Sequence, residues 1–248
     1  MRMELTFELE KLELPIDYRS IWISFLKNCL SHCKAGIYYE RYFGHTHQKD
    51  YSFTIRFAEP QFQKEIILLG RKEIKMTLSC DDRQKTGLIF GNALIGAKQK
   101  RFPLPNGNAM ILKRVDYVRE QLITSSSVMF KTGIGSGIVV REHDPNNNKD
   151  RFYTYQDAEF AVQLKRVLSL QAEAAGFGFE VGANVLFKPI QCKKVVVKHY
   201  QIFMDMTVGI FQLEGDPDFL QYLYQAGMGS KHSSGFGLID IVAQKITE

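Results

Sequence analysis

Cysteine is scarce in this sequence, and so are tryptophan and proline. The 248 residues include four cysteines, one tryptophan and seven prolines. Cys29, Cys33, Cys80 and Cys192 show neither CxxC spacing nor the density of a disulfide scaffold, so reduced thiols in a cytosol fit best. Cys29 and Cys33 flank His32, but both continue the apolar stripe of a predicted helix, which favours packing over metal binding.

Long hydrophobic runs are absent as well. No apolar stretch approaches the length of a signal core or a membrane span, and the chain starts directly in an alternating pattern. We therefore expect a soluble, cytoplasmic protein that has no membrane partner. A chain of this length predicts two domains of about 120 residues each, which we assign to 1–120 and 121–248.

Acidic residues are missing from two stretches of the chain. Lysine and arginine number 32 against 27 aspartates and glutamates, and this net charge of +5 only hints at a polyanionic partner. The distribution is more informative, because 83–115 and 181–204 contain no acid. Such runs are as often solvated faces as nucleic-acid contacts. From the first run we take as candidate RNA contacts Lys98, Lys100 and Arg101.

The hydrophobic periodicity repeats one order of elements: strand, helix, strand, strand, helix, strand. In the first half the patterns occupy, in order, 3–10, 17–32, 51–57, 66–78, 86–97 and 110–118. In the second half they occupy 128–140, 157–175, 195–211, 216–226 and 236–242. Two successive βαββαβ units predict an α+β protein made of two tandem ferredoxin-like domains with antiparallel sheets.

The most informative segment is 227–237, which reads GMGSKHSSGFG. It follows a helix pattern that opens with Asp216 as N-cap and Pro217 at the first helical position. Glycines can bring bare backbone N–H groups close to a phosphate chain, and lysine, histidine and serine add further donors. We therefore predict RNA contacts from Gly227, Gly229, Ser230, Lys231, His232, Ser233, Ser234, Gly235 and Gly237.

A second glycine run, 133–137, reads GIGSG. It lacks the lysine-serine/threonine ending of a Walker loop and the spacing of a dinucleotide fingerprint, which argues against nucleotide binding. No cofactor is expected. The run is either a bulge or a loop near bound RNA, with Lys131 and Arg141 on its flanks.

The last helix, the GxG-x5-GxG loop and the closing strand together resemble the C-terminal signature of the CRISPR-associated endoribonucleases that cut repeat RNA into guide RNAs. The signature covers about 25 residues of the chain. The resemblance implies a role in antiviral defence and CRISPR repeat RNA as the partner. It also implies a monomer or homodimer, alone or with other subunits of an interference complex.

In that family the catalytic histidine commonly lies just beyond the first helix, often near a tyrosine and a lysine. Here the segment 38–50 follows the first helix pattern and contains His45, His47 and Lys49, with Tyr42 just upstream. The resemblance implies that these four residues form the catalytic site. In an extended chain residues two apart point to the same side, so His45, His47 and Lys49 are expected to face one site.

Cutting RNA without a metal requires a base for the 2′-OH proton, an acid for the 5′-oxygen leaving group, and a cation for the developing charge. An imidazole, whose ordinary pKa is near 6.5, serves as base or acid near neutral pH. His45 and His47 can share these two roles, in either order, and Lys49 can supply the cation. A zinc site is disfavoured because no third or fourth ligand appears at the usual spacing, so no metal is expected.

The leading hypothesis is an endoribonuclease that cuts CRISPR repeat RNA by 2′-OH attack and leaves a 2′,3′-cyclic phosphate and a 5′-hydroxyl. A non-catalytic RNA-binding subunit of an interference complex would have the same fold and loop, but it would not need paired imidazoles. A generic ferredoxin-like RNA-binding module would carry an RNP-type aromatic signature, which the sequence lacks.

Overall fold

The structure is a computed structural model that describes residues 1–45, 47–200 and 202–244. The elements of the first half are β1 (Arg2–Leu9), β2 (Glu13–Pro15), α1 (Tyr18–Ser31), β3 (Tyr51–Phe57), β4 (Gln61–Phe62), β5 (Ile66–Leu68), β6 (Glu73–Cys80), α2 (Thr86–Ala97), β7 (Arg101–Pro103) and β8 (Ala109–Val118). Those of the second half are β9 (Ser127–Thr132), β10 (Val140–Asp144), β11 (Lys149–Tyr153), α3 (Phe160–Ala174), α4 (Phe179–Ala183), β12 (Leu186–His199), β13 (Ile202–Glu214), α5 (Pro217–Ala226) and β14 (Ile239–Gln244).

The first half forms an antiparallel sheet in the order β3-β6-β1-β8-β7. Alternate residues of β1 face the helices, as the period-two pattern predicts, and Leu5 lies opposite Met76 of β6. Phe7 packs edge-on against Trp22 and Phe25 of α1, with ring centroids 6.1 and 5.2 Å away. The sheet and its two helices therefore share one buried aromatic core.

The second half forms an antiparallel sheet in the order β12-β13-β9-β14, covered by α3 and α5. Its core contains Phe130 and Phe211 from the strands and Leu164 and Phe219 from the helices. In the first sheet β1 lies between β6 and β8, which are the third and fourth strands of that unit when the edge strand β7 is left aside. In the second sheet β9 lies in the same way between β13 and β14. The α+β class with two ferredoxin-like units is therefore confirmed, whereas the domain limits 1–120 and 121–248 stay a prediction.

Two details differ from the sequence-based expectation. The pattern at 128–140 is not one strand, because β9 ends at Thr132 and β10 begins at Val140, with the glycine run between them. Gly135 in that run has φ +81°, a left-handed conformation that ends a strand. The hairpin of β12 and β13 is longer than predicted, and the part of β13 before Ile210 extends beyond its pairing with β9.

No helix in the described part of the chain is long and apolar enough to cross a membrane.

Helix α5 illustrates how local sequence sets the frame for the loop that follows. Asp216 precedes the helix in an extended conformation, and its carboxylate accepts a hydrogen bond from the N–H of Phe219 at 2.9 Å. Pro217 occupies the first helical position, where no N–H is required. The predicted N-cap is confirmed.

Loss of this cap should destabilise the fold. We expect Asp216→Ala to lower the free energy of unfolding by about 1 kcal/mol, because the Phe219 N–H loses its acceptor. Asp216→Ser, which keeps a capping oxygen, should retain most of the stability. Urea denaturation of both variants measures the difference, and equal stability of Asp216→Ala and wild type would contradict the assigned cap.

Candidate active site

A cleft of about 210 Å³ opens between the two halves beside the start of β3. It is walled by the segment that precedes β3, by the turn after β6, by the C-terminal end of α3 and by α5. Its lining includes Arg41, His47, Lys49, Asp50, Arg83 and Tyr222. The cleft therefore contains part of the sequence-predicted catalytic segment.

The chain approaches this cleft through two tight turns. After α1 it makes a 3₁₀ turn at Lys34–Gly36 and a π-helical turn at Glu40–Gly44, and it becomes extended at His45 with φ −134° and ψ 164°. Isolated π-helical turns occur frequently at functional sites. The extended conformation predicted for the catalytic segment is thus found at His45.

His45 and His47 lie side by side in solvent. Their ring centroids are 5.3 Å apart and both side chains are exposed. The Lys49 Nζ donates to the carbonyl oxygens of His45 at 2.7 Å and of His47 at 2.9 Å, so one ammonium group holds the short segment together. Partial burial lowers the pKa of Lys49. The structure therefore brings together three of the four residues predicted for catalysis.

Tyr42, the fourth predicted residue, lines the cleft, but its side chain is almost fully buried. Its side chain is 1% exposed, its ring packs against Tyr51 and Phe90, and burial raises the pKa of its hydroxyl. The hydroxyl lies 2.8 Å from the Thr86 Oγ1, which in turn donates to the Asp50 Oδ2 at 2.6 Å. These hydrogen bonds connect Tyr42 to Asp50, the last residue before β3.

Three charged residues of the cleft were missed by the sequence analysis. Arg41 donates to the Gln84 Oε1 at 2.8 Å and lies 3.6 Å from the Asp50 carboxylate, whose pKa burial raises. Arg83 binds Asp81 at 2.9 Å. Arg41 and Asp50 are close in sequence to the histidine segment, and this closeness could have identified them as cleft residues. Arg83 could not be found in this way, because its place beside Asp81 depends on the turn after β6.

Among the described residues, no three His, Cys, Asp or Glu side chains group closely enough to hold a metal ion.

The glycine-rich loop 227–237 packs against protein, so the predicted free backbone donors are not found at its glycines. Gly227, Gly229, Gly235 and Gly237 are buried, and all four have positive φ. Their N–H groups all donate within the protein. Gly227 donates to the Leu223 carbonyl and Gly229 to the Gln171 Oε1. Gly235 donates to the His232 carbonyl and Gly237 to the Gly137 carbonyl.

Close approach explains why glycine is required in this loop. A Cβ on Gly235 would lie 3.0 Å from the Phe53 ring, and one on Gly237 would lie 2.3 Å from the Met228 carbonyl oxygen. The same sequence feature that suggested phosphate binding therefore serves contact between protein segments.

His232 joins this loop to the catalytic segment. It is 4% exposed, and its Nδ1 lies 2.9 Å from the Tyr51 carbonyl oxygen, so Nδ1 carries the proton. The Nε2 lies 2.8 Å from the Gln48 amide nitrogen and accepts from it. Burial lowers the pKa of His232, and nearby Lys49 lowers it further. His232, predicted as an RNA contact, is instead a neutral internal link between the loop and the segment that carries His47.

The part of the loop that reaches solvent is limited to four of its five polar residues. Lys231 is half-buried and adopts a left-handed conformation with φ +58°. Burial and the positive charge of Arg141 lower its pKa, while Asp150 opposes them. The residues of the loop that keep access to an RNA are Ser230, Lys231, Ser233 and Ser234.

The basic run Lys98, Lys100 and Arg101 lies apart from the cleft. Thr86, which contacts Tyr42, begins α2, and the run follows the other end of that 12-residue helix, about 18 Å along its axis. Arg101 is committed to Glu10 through two hydrogen bonds of 2.6 and 2.9 Å. Lys98 and Lys100 are exposed. The structure does not bring this run together with the histidines.

The fold and the cleft define a class of protein: two ferredoxin-like units joined by a buried glycine-rich loop, with an exposed histidine pair in the segment that precedes β3. A sequence model of the family described as CRISPR associated protein Cas6, C-terminal, matches residues 118–241, which is half of the chain. The chain therefore belongs to the Cas6 family of CRISPR-associated proteins. No curated protein matches its sequence.

Solved structures share the fold at low sequence identity. The product of a Cas6-related gene from Pyrococcus furiosus is 16% identical, with a TM-score of 0.82 over 99% of both chains. An RAMP protein described as binding different RNA substrates is 15% identical, with a TM-score of 0.80 over 98% of this chain and 100% of its own. A Thermus thermophilus Cas6 in a product complex is 15% identical, with a TM-score of 0.68 over 98% of this chain and 100% of its own.

The buried, neutral state of His232 predicts a pH dependence of stability. The unfolded chain takes up a proton at the ordinary histidine pKa near 6.5, whereas the folded protein resists it to lower pH. Protonation therefore favours unfolding, and stability should fall as the pH drops below about 6.5, by up to about 1.4 kcal/mol per pH unit from this group.

His232→Asn removes the titrating group while keeping a side-chain nitrogen that can donate to Tyr51. We expect its free energy of unfolding to change less between pH 7 and pH 5 than that of wild type, as measured by urea denaturation at each pH. His32→Asn, at an exposed histidine, should behave like wild type. Parallel pH profiles for His232→Asn and wild type would rule out a neutral His232.

Proposed function

We propose that this protein is an endoribonuclease that cuts CRISPR repeat RNA without a metal. The observation that carries the proposal is the cluster of His45, His47 and Lys49 at the cleft, in a chain of the Cas6 family. Two exposed imidazoles and one ammonium supply the three groups that the reaction needs.

In the proposed reaction, one imidazole takes the proton of the 2′-OH, and the oxygen attacks the adjacent phosphorus. The bond from phosphorus to the 5′-oxygen breaks, and the second imidazole gives that oxygen its proton. The products are a 2′,3′-cyclic phosphate and a 5′-hydroxyl. Lys49 offsets the negative charge that builds up on the phosphate oxygens in between. His45 and His47 can fill the two proton-transfer roles in either order.

RNA binding would combine contacts from the exposed part of the glycine-rich loop with phosphate neutralisation by lysines. Lys231 is the cation of that loop and Arg141 lies near it. Lys98 and Lys100 extend the basic surface beyond α2, whereas Glu10 already neutralises Arg101. The resulting affinity should depend on salt.

A non-catalytic RNA-binding subunit is the second candidate function. It is favoured by the likeness of the whole chain to an RAMP protein described as binding different RNA substrates. Such a protein would bind the repeat RNA tightly and leave it uncut. Other subunits of a CRISPR complex would then be its partners.

The first test is cleavage in EDTA of the repeat RNA encoded beside the gene. We expect all-ribose RNA to be cut and RNA with a single 2′-deoxy at the cut site to stay intact, because the attacking group is missing. His45→Ala and His47→Ala should each slow cleavage by at least about 10²-fold where the residue acts as base or acid. Binding should change little, since the proposed phosphate contacts come from Lys231, Lys98 and Lys100.

His32→Ala, at an exposed histidine beyond α1, is the matched control and should cut at the wild-type rate. Full activity of the His45→Ala/His47→Ala double variant would refute the assignment. Tight binding with no cleavage by wild type would support the binding subunit.

The salt dependence of binding tests the proposed phosphate contacts. Each lysine that neutralises a phosphate of single-stranded RNA adds about 0.7 to the slope of log K against log salt. We expect Lys231→Ala and the pair Lys98→Ala/Lys100→Ala to flatten the slope, and Lys165→Ala, on the exposed face of α3, to leave it unchanged. An unchanged slope for Lys98→Ala/Lys100→Ala would mean that this run is only a solvated face.

A further inference from the structure

The side chain of Gln48 lies at the boundary between the cleft and the protein interior. Gln48 is exposed and lines the cleft together with its two neighbours in sequence, His47 and Lys49. On its inner side the amide nitrogen lies 2.8 Å from the Nε2 of His232, a residue that is 4% exposed. Gln48 is not among the residues proposed for catalysis or for phosphate binding, yet it lies between two of them.

The hydrogen bonds of His232 determine which way the Gln48 amide points. The Tyr51 carbonyl oxygen, 2.9 Å from the His232 Nδ1, can only accept, so Nδ1 carries a proton. Burial lowers the pKa of His232, which favours the neutral ring. A neutral ring with its proton on Nδ1 has an acceptor at Nε2, so the group that faces Nε2 is the NH2 of Gln48 and not its carbonyl oxygen.

The glycine-rich loop holds His232 in the place that this contact requires. A Cβ added to Gly227 or to Gly237 would lie 3.0 Å from the His232 Cβ, so both glycines pack closely on this residue. The short turn His232–Ser234 packs on β3, whose first residue, Tyr51, accepts from the ring. Residues of the second half therefore set the orientation of a side chain in the cleft.

The Gln48 amide has one donor to spare. An NH2 group carries two N–H bonds, and one of them points to His232. Among residues 1–45, 47–200 and 202–244 the Gln48 side chain has no other hydrogen-bond partner. A neutral donor whose direction is set in advance is effective at stabilising charge, because it needs no reorganisation when the charge develops.

We infer that the second N–H of Gln48 donates to a non-bridging oxygen of the phosphate that is cut, and that His232 is the positioning residue for this donor. The inference rests on the proposed function for the reaction itself. Lys49 supplies positive charge, and Gln48 adds a directed hydrogen bond that strengthens as negative charge builds up on the oxygen. No proton moves to or from Gln48.

The first test measures the single-turnover rate of cleavage of the repeat RNA, in EDTA and at saturating protein. We expect Gln48→Leu, which keeps the size of the side chain and removes its donors, to slow cleavage at least about tenfold. The Kd for repeat RNA with a 2′-deoxy at the cut site should stay within about threefold of wild type, because the hydrogen bond strengthens only in the transition state. Gln156→Leu, at an exposed glutamine outside the cleft, is the matched control and should cut at the wild-type rate.

Two further variants test the link between Gln48 and His232. Gln48→Glu keeps the shape of the side chain, but a carboxylate only accepts, so this variant should be at least as slow as Gln48→Leu. His232→Asn should also slow cleavage, because its shorter side chain no longer reaches the Gln48 amide. Combining His232→Asn with Gln48→Leu should add little further loss, since both changes remove the same donor. Circular dichroism checks that each variant folds.

Sulfur substitution separates a contact with the phosphate from an effect on structure. Sulfur is a weak hydrogen-bond acceptor, and each of the two thio isomers of the cut phosphate replaces a different non-bridging oxygen. We expect wild type to cut more slowly the isomer that replaces the oxygen bound by Gln48. Gln48→Leu should lose most of this slowing, because the donor is already gone, whereas a merely structural role of Gln48 would leave the ratio of oxygen to sulfur rates unchanged.

A wild-type rate for Gln48→Leu, or the same thio effects in this variant and in wild type, would overturn the inference and leave the proposed function standing. Fully additive losses in the double variant would overturn the positioning role of His232. Failure of wild type to cut the repeat RNA would refute the proposed function and this inference together, so the two failures give different results.

Discussion

A neutral imidazole in the interior, that of His232, connects the glycine-rich loop of the second half to β3 and to the histidine segment of the first. Its Nδ1 donates to the Tyr51 carbonyl and its Nε2 accepts from Gln48. A protonated ring would carry a donor at both nitrogens, and the Gln48 amide would then face another donor. The observed contact suits the uncharged ring, and burial lowers the pKa of His232, which favours that state.

Three arginines of the first half cross to the second half around this link. Each guanidinium donates to a backbone carbonyl of the second half and lies over an aromatic ring of that half. Arg2 donates to the Ile239 carbonyl and lies over Tyr224, and Arg19 donates to the Gly235 carbonyl and lies over Phe236. Arg83 donates to the Ala175 carbonyl and lies over Phe177. A planar guanidinium can stack and donate at once, which an ammonium cannot do. The two halves are therefore held together by directional contacts.

Much of the fold could be predicted from the sequence, because period-two and helical patterns report which face of an element is buried. The order of elements and the Asp216 cap are examples.

The role of the glycine-rich loop could not be predicted in the same way. Glycine spacing reports positive φ and close approach, but it does not say whether the approaching group is a phosphate or, as at Gly237, a carbonyl of the protein. The burial of Tyr42 could not be predicted for a related reason, since its hydrogen bond depends on Thr86, more than 40 residues away in the sequence.

The geometry of Lys49 shows how the segment proposed for catalysis can be both held in place and available to a substrate. Its ammonium has three donors, and two of them bind the carbonyls of His45 and His47. One donor is left for a phosphate oxygen, so the positive charge can act on substrate without releasing the backbone that carries the two imidazoles. An arginine would present a rigid planar fork in place of three rotatable donors, and it could not keep both carbonyls in the same arrangement. Lysine therefore suits the proposed role, in which one cation binds the two backbone carbonyls and also offsets charge on the phosphate.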